Sequence, residues 1–354
     1  MTKRYIVELE DAEDIENLRP HCQKVGSPSA IGDIVVVESD LSLYELEEIE
    51  GVVCAEEECF DHPNEDYAYT QEDFRTWFLP FLAQSDTLRS KRDGAGVDIY
   101  IMDTGMRLTH EEFEGRAQTI YSFDGRDYDP DDSMSPAHGT QVGSCAAGAT
   151  LGPAKAAKLY NVRYSFSNAY GTKALDTVLK HHREKDPNRV SILNMSFGSP
   201  SRLYVSMMRR LTDEGIICVG AAGNAARRGP EYPAASDDVI AVGSHDEFHF
   251  PSNFTNFGPE LDIYAPGDMG VMAGIEADDA YDQAISGTSF SAPLVSGMLA
   301  LITQGSHIRT RESALKAKKR LLNLAARNRL ALRGDYERDP NRVPSFRFKD
   351  RPIG

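Results

Sequence analysis

Five apolar runs, bounded by glycine and proline and separated by helical stretches, dominate the chain after Gly96. The runs read VDIYIMD, AKLYNVRY, VSILNMSFG, GIICVGAAGN and DVIAVGS. Near-continuous apolar strands that alternate with helices predict a parallel sheet covered on both faces, because only such strands are buried on both sides. We therefore predict the α/β fold class. Ligands of such sheets bind beyond the carboxyl ends of the strands, where Asp103 and Asn224 fall.

The 354 residues fall into two parts that differ strongly in net charge. Residues 1–69 carry a net charge of −15, whereas residues 70–354 carry −2, and two compositions predict two domains. The first part reads as a β-α-β-α-β unit, in which Ser42 and Glu45 have the capping-box form that starts a helix. The polar stretch DHPNEDYAYTQED, residues 61–73, has the composition of an exposed and cleavable linker.

Composition argues against several other classes of protein. No stretch approaches the roughly 18 uncharged apolar residues that a membrane span needs. The N-terminus reads MTKRYIVELED, with no apolar leader, so we expect a protein that is cytoplasmic or released by lysis rather than secreted. Five irregularly spaced cysteines argue against a disulfide framework or a zinc site and favour a reducing compartment. We expect a monomer with no membrane partner.

A basic C-terminal stretch is the feature most typical of nucleic-acid binding. Residues 308–354 hold 14 Lys+Arg and 5 Asp+Glu. Helical spacing in RESALKAKKRLLNLAARNRL, however, puts Leu315, Leu322 and Ala326 near one face. We therefore predict a docked surface helix with solvated bases, and no nucleic-acid partner.

The run VDIYIMD ends in the triplet Asp103-Thr104-Gly105. An aspartic protease needs two carboxylates that share one proton, usually supplied by two copies of such a motif, and this chain has one copy. That class is therefore excluded. Taken alone, Asp103 is explained equally well as a residue that merely ends a strand.

Two further motifs carry groups that such an acid could assist. His138 precedes a helix of small residues in SPAHGTQVGSCAAGAT, and a helix of that kind can lie close to the sheet. Ser289 stands at a Gly-Thr-Ser turn before the apolar helix of AISGTSFSAPLVSGMLALI, with Pro293 in or near the first turn and Gly297 permitting close approach. Taken singly, such a histidine is more often a surface or core residue, and such a serine is more often a helix N-cap.

Together, the motifs resemble those of the subtilisin-like serine proteases, and the resemblance is close to the proteinase K branch. The order Asp…His…Ser is that family's order. The resemblance implies that Asp103 orients the imidazole, His138 is the general base and Ser289 is the nucleophile. Asn224, which ends the motif VGAAGN, resembles the family's oxyanion donor, acting with the backbone N–H of Ser289.

These residue types suit acyl transfer. A serine hydroxyl is a poor nucleophile at neutral pH unless a base takes its proton, and histidine has the pKa for that transfer. The resemblance therefore implies a serine endopeptidase that needs no cofactor for catalysis. Four positions depart from the family's usual pattern, but none removes a proton-transfer group: Gln141, Ala169, Phe290 and Leu294. The changes to Phe290 and Ala169 put the shape and specificity of the cleft in doubt, not its chemistry.

The resemblance also implies where a peptide would bind. One wall of the pocket for the P1 side chain, on the N-terminal side of the cut bond, would be Ser196, Phe197 and Gly198, and the other Ala221, Ala222 and Gly223. An edge near Tyr170 and Gly171 would receive the substrate by strand addition. Because most of these residues are small, we expect a roomy cleft that accepts a large apolar P1 residue. Residues 190–198 can also be simply a buried strand.

Subtilases commonly bind calcium, and the stretches AASDDV and ELDIYAPG resemble one such site. Asp262 would supply the carboxylate, with backbone carbonyls near Asp237 and Val239. One carboxylate is a weak calcium signal. A solvated or hydrogen-bonded Asp262 is an equally good interpretation.

The acidic N-terminal part resembles the family's inhibitory propeptide of the I9 type, a small α+β, ferredoxin-like domain. The resemblance implies a subtilisin-like catalytic domain over residues 70–354 and a zymogen that cuts itself within residues 61–73. The propeptide would then be an intramolecular inhibitor, and other polypeptides would be the substrates. Two alternatives stay open: an acidic domain unrelated to inhibition, and a catalytically silent scaffold protein with a permanently docked N-terminal domain.

Overall fold

The computed structural model describes residues 2–26, 34–57, 69–71, 73–131 and 135–346. Backbone contacts divide the chain into two compact units, Met1–Glu65 and Asp66–Gly354. Of the linker predicted over 61–73, residues 61–68 and 72 lie outside the described residues. Residues 69–71 form a strand of the second unit, so this part of the predicted linker is ordered backbone.

The N-terminal unit is a small α+β domain. Its elements are β1 (Lys3–Leu9), α1 (Ile15–Leu18), β2 (Lys24–Val25), β3 (Ile34–Ser39), α2 (Leu43–Glu47) and β4 (Val52–Glu57). The strands form an antiparallel sheet in the order β2-β3-β1-β4, whose buried face includes Val7 and Val37. The capping box is present, because the Glu45 N–H donates to Ser42 Oγ (3.3 Å) and the Ser42 N–H to Glu45 Oε2 (2.7 Å).

The second unit contains the remaining strands and helices of the described chain. Its strands are β5 (Tyr69–Gln71), β6 (Leu88–Ser90), β7 (Val97–Asp103), β8 (Ala117–Ser122), β9 (Lys158–Arg163), β10 (Val190–Met195), β11 (Ile217–Ala221), β12 (Val239–His245), β13 (Ile263–Pro266), β14 (Gly270–Ala273), β15 (Tyr281–Ile285), β16 (Ala326–Arg327) and β17 (Arg342–Val343). Its α-helices are α3 (Phe78–Ala83), α4 (His138–Ala147), α5 (Asn168–Glu184), α6 (Leu203–Asp213), α7 (Thr288–Thr303) and α8 (Arg311–Leu324). Among the helices of the described residues, none is both long and apolar enough to cross a membrane.

Seven strands form one parallel sheet in the order β13-β12-β11-β10-β7-β9-β8. Strand β7 shows why both faces are covered. Ile99 and Ile101 pack into the core on the side of α4 and α7, whereas Tyr100 and Met102 pack on the side of α5 and α6. The predicted α/β class with helices on both faces is confirmed. Each of the five apolar runs contains a strand of this sheet.

Helix α4 lies unusually close to its neighbours because small residues face them. A Cβ atom at Gly297 of α7 would lie 2.3 Å from the Ala146 carbonyl oxygen, and one at Gly139 would lie 2.2 Å from the Gly105 carbonyl oxygen. Both distances are far shorter than a van der Waals contact, so a side chain at either position would push the backbones apart. This packing brings the N-terminal end of α4 to the carboxyl end of β7.

Helix α8 docks on the domain as predicted, but through a different face. Its buried residues are Ala314, Ala317 and Leu321, whereas Leu315 and Leu322 are only half-buried. The small side chains of Ala314 and Ala317 let this face of α8 lie close to the domain. The predicted face was therefore wrong by one position along the helix.

Candidate active site

A buried carboxylate and an imidazole meet where β7 ends and α4 begins. Asp103 is fully buried, and its Oδ1 accepts hydrogen bonds from His138 Nδ1 and from the Thr104 N–H, both at 2.7 Å. The Gly139 N–H donates to Thr104 Oγ1 (3.0 Å), which ties the first turn of α4 to the turn after β7. Asp103 Oδ2 is also buried and meets no hydrogen-bond donor from the described residues. The imidazole is therefore the main partner of this carboxylate.

The pair changes the proton affinity of His138. Burial by itself would lower the pKa of the imidazole, because it penalises the charged form. The negative charge of Asp103 and its hydrogen bond outweigh burial and raise the pKa of His138 above its ordinary value. The His138 side chain keeps 20% of its surface exposed, so the ring can still exchange protons with a molecule bound beside it.

Ser289 is the second residue of α7 and is tied to the end of β10 by reciprocal hydrogen bonds. Ser289 Oγ donates to the Ser196 carbonyl (3.2 Å), and Ser196 Oγ donates to the Ser289 carbonyl (2.7 Å). Pro293 lies in the second turn of α7, near the first turn as predicted, and it has no N–H to donate to the Ser289 carbonyl. The Ser196 hydroxyl supplies the missing donor.

The Ser289 hydroxyl therefore faces the Ser196 carbonyl in this structure. Among the described residues, the His138 ring makes its hydrogen bond with Asp103 and not with Ser289. The residue after Ser289, Phe290, has its ring centroid 5.6 Å from that of His138, so the start of α7 lies beside the imidazole.

Asn224 follows β11 and is anchored through one end of its side-chain amide. Its Oδ1 accepts hydrogen bonds from the Thr288 N–H (2.9 Å) and the Thr288 hydroxyl (2.7 Å). Because Thr288 holds the amide oxygen, the NH₂ group of Asn224 points away from Thr288. A Cβ atom at Gly287 would lie 3.5 Å from Asn224 Nδ2, which places this donor beside the turn that carries Ser289.

The two predicted substrate walls lie side by side, since β10 and β11 are parallel neighbours in the sheet. Ser196, Phe197 and Gly198 follow the first strand, while Ala221 ends the second and is followed by Ala222 and Gly223. The Phe197 ring packs against Tyr164 (5.1 Å between centroids) and Tyr204 (5.8 Å) in the core. This wall therefore presents backbone and small side chains, not the phenyl ring.

The predicted substrate edge needs a correction. Tyr170 and Gly171 lie in the first turn of α5, and the Gly171 N–H already donates to the Ser167 carbonyl (2.8 Å). The carbonyls of helical residues accept hydrogen bonds within the helix, so helical backbone cannot form the ladder of bonds that an added strand requires. The non-helical stretch here is 164–167, between β9 and α5.

The sequence from residue 94 to residue 339 matches the model of the Subtilase family. This chain belongs to the subtilase family. The match covers the second unit from just before β7 to just before β17, and it includes Asp103, His138 and Ser289.

Curated relatives and a solved structure agree with this assignment. A subtilisin-like protease of Coccidioides posadasii is 32% identical over 256 residues, covering 68% of this chain and 62% of the relative. A cuticle-degrading serine protease of Arthrobotrys oligospora is 29% identical over 271 residues, covering 71% and 66%. A crystal structure of a cold-adapted subtilisin-like serine proteinase superimposes with a TM-score of 0.68 at 28% identity, covering 77% of this chain and 98% of that one. The chain spans about half to two thirds of the length of the first curated relatives it matches.

The calcium site predicted at Asp262 does not fit this subtilase. The Lys318 ammonium is 2.8 Å from Asp262 Oδ2 and donates to the carbonyls of Val239 (2.8 Å) and Asp237 (3.3 Å). These are the same oxygens that the sequence predicts as calcium ligands. A lysine cation already binds them, and a metal ion in the same place would be repelled by it. Within the described residues no cluster of three or more His, Cys, Asp or Glu could hold a metal ion.

Sequence reasoning missed two charged residues. Lys318 was counted with the solvated bases, although it is next to Ala317 and four residues after Ala314 on the docked face of α8. Had the buried face of α8 been predicted correctly, Lys318 would have been expected to point towards the domain. Glu231 lies between the two substrate walls, and its motif GPEYP carries no signal that points there.

We predict that Asp103→Asn lowers the pKa of His138, because the variant removes the charge that raises it. An NMR titration of the His138 ring measures this, with both chains carrying Ser289→Ala to prevent self-cleavage. The folded pKa exceeds the unfolded value of about 6.5. The pair therefore stabilises the fold fully below that pH, and its contribution is lost as the pH rises through the folded pKa. Identical titration curves for the two chains would contradict the assignment.

We also predict that Lys318→Met lowers the free energy of unfolding by about 1–3 kcal/mol, because it leaves the Asp262 carboxylate and two carbonyls without their cation. Denaturant unfolding measures the change. Lys319→Met, at an exposed position on the same helix, is the matched control and should change stability by less than about 0.5 kcal/mol. Equal effects of the two substitutions, or a loss of stability when calcium is chelated from the unsubstituted chain, would contradict the account.

Proposed function

We propose that the chain is a serine endopeptidase that hydrolyses peptide bonds through an acyl-enzyme. The observation that carries this proposal is the hydrogen bond between the buried Asp103 and His138, beside the α7 turn that contains Ser289. Membership of the subtilase family supports the same reaction. The substrates would be polypeptides, and catalysis would need no metal.

In the proposed reaction, Ser289 Oγ attacks the carbonyl carbon of the substrate and gives its proton to His138 Nε2. Asp103 keeps the other ring nitrogen, Nδ1, protonated and stabilises the imidazolium. The Ser289 N–H and the side-chain NH₂ of Asn224 would donate to the oxyanion that forms. His138 then protonates the leaving amine, and water enters to hydrolyse the acyl-enzyme by the same relay.

One rearrangement must come first. The Ser289 hydroxyl has to leave the Ser196 carbonyl and turn towards the imidazole, which is a rotation about a single side-chain bond. A neutral hydrogen bond contributes only about 1 kcal/mol, so the rotation costs little compared with the barrier of the reaction. The reciprocal bond from Ser196 Oγ to the Ser289 carbonyl involves only backbone atoms of Ser289, so it does not have to break.

The N-terminal unit is proposed as an inhibitory propeptide. Three observations support this: the unit is compact by itself, it is strongly acidic, and the boundary between the two units falls within the polar stretch 61–73. We propose that the enzyme cuts its own chain within residues 61–73 and is therefore made as a zymogen.

Incubation of the purified chain tests both proposals. We expect the unsubstituted protein to hydrolyse peptides and to lose its N-terminal segment by a cut within residues 61–73, as read by mass spectrometry. Ser289→Ala should stay full-length and lose at least about 10⁴-fold in peptide hydrolysis. Ser206→Ala, an exposed serine on α6, is the matched control and should behave like the unsubstituted chain. Two intact and inactive proteins would favour the scaffold alternative.

A further inference from the structure

Between the two substrate walls, the chain crosses from one wall to the other at residues 231–232. The Glu231 N–H donates to the Ala222 carbonyl (3.0 Å), and the Ser199 N–H donates to the Tyr232 carbonyl (2.7 Å). The segment is thus bonded to Ala222 of one wall and to Ser199, which directly follows the other wall. Within this segment, Glu231 is the residue whose side chain lies beside a glycine of each wall, Gly198 and Gly223.

The Glu231 carboxylate occupies the space that two wall glycines leave open. A Cβ atom at Gly198 would lie 1.7 Å from Glu231 Oε2, and one at Gly223 would lie 3.2 Å from Glu231 Cδ. The carboxylate therefore touches both walls. A large apolar side chain entering between the walls would displace it or bury it without a partner, and burying an uncompensated charge is strongly unfavourable.

One oxygen of this carboxylate has a weak partner. Glu231 Oε1 is 2.7 Å from Arg227 Nη2, whereas Oε2 is the oxygen beside Gly198. The Arg227 side chain is 61% exposed, and exposed pairs of this kind contribute only about 0.2–1 kcal/mol. A cation from a bound peptide could therefore take over or share the carboxylate at little cost.

Resting on the proposed peptidase function, we propose that Glu231 determines specificity and selects substrates with lysine or arginine at P1. A long basic side chain would extend between the walls of small residues and form a charge-assisted hydrogen bond with the carboxylate. This assignment replaces the sequence-based expectation of a large apolar P1 residue. That expectation was based on the small residues of the walls and did not include the Glu231 carboxylate between them.

A set of peptides that differ only at P1 tests the proposal, with Arg, Lys, Phe and Leu at that position. We expect the processed chain to have a higher kcat/KM for Arg and Lys than for Phe and Leu. Glu231→Gln should lower the ratio of basic to apolar kcat/KM by about 10- to 100-fold, the value of one hydrogen bond to a charged group. Glu247→Gln, at an exposed position after β12, is the matched control and should keep the original ratio.

The variant Arg227→Ala provides a second test, which does not depend on how well Glu231→Gln folds. Without its internal partner the carboxylate is free for the substrate, so kcat/KM for basic P1 peptides should rise. Efficient cleavage after Phe or Leu with a ratio that Glu231→Gln leaves unchanged would overturn the specificity proposal while the peptidase function stands. Failure of the unsubstituted chain to cleave any of the peptides would overturn the peptidase function itself, and the specificity proposal with it.

Discussion

The structure depends on how closely helix α4 packs against its neighbours. Gly297 of α7 lies against the Ala146 carbonyl of α4, and Gly139 lies against the Gly105 carbonyl, with no room for a side chain at either glycine. Interiors packed at this density do not deform gradually, so the backbones are held in one arrangement. The first residue of α4 is His138, and the same packing that fixes the helix brings its ring into contact with Asp103.

The proposed chemistry depends on the burial of Asp103, which this packing keeps away from water. Asp103 has few partners in the described residues, so its charge acts mainly on the imidazole and raises the pKa of His138. Across the cleft, Pro293 leaves the Ser289 carbonyl without a helical donor, and Ser196 provides one. The start of α7 is thereby joined to the sheet strand β10. A rigid helix start is what a nucleophile at this position would need, because small displacements slow such reactions severely.

Sequence reasoning identified five of the seven strands of the parallel sheet, the starts of α4 and α7 and the residues at the ends of those strands, because these depend on local patterns that the residues carry themselves. The two edge strands, β8 and β13, were not among the five apolar runs. It did not identify the partner of Asp262 or the position of Glu231. Both depend on contacts between distant segments, such as the one between α8 and the loop before β12. A one-position error in the phase of α8 was enough to count Lys318 as a surface base. Burial and charge pairing at the cleft likewise required the three-dimensional structure.

The central claim is that Asp103 and His138 activate one particular serine. The most direct measurement is the reaction of the incubated chain with a fluorophosphonate, followed by mass spectrometry of its peptides. The account predicts a single adduct on Ser289, formed more slowly as His138 becomes protonated and much more slowly in Asp103→Asn. Adducts spread over several serines, or an equal rate in the Asp103→Asn variant, would contradict it.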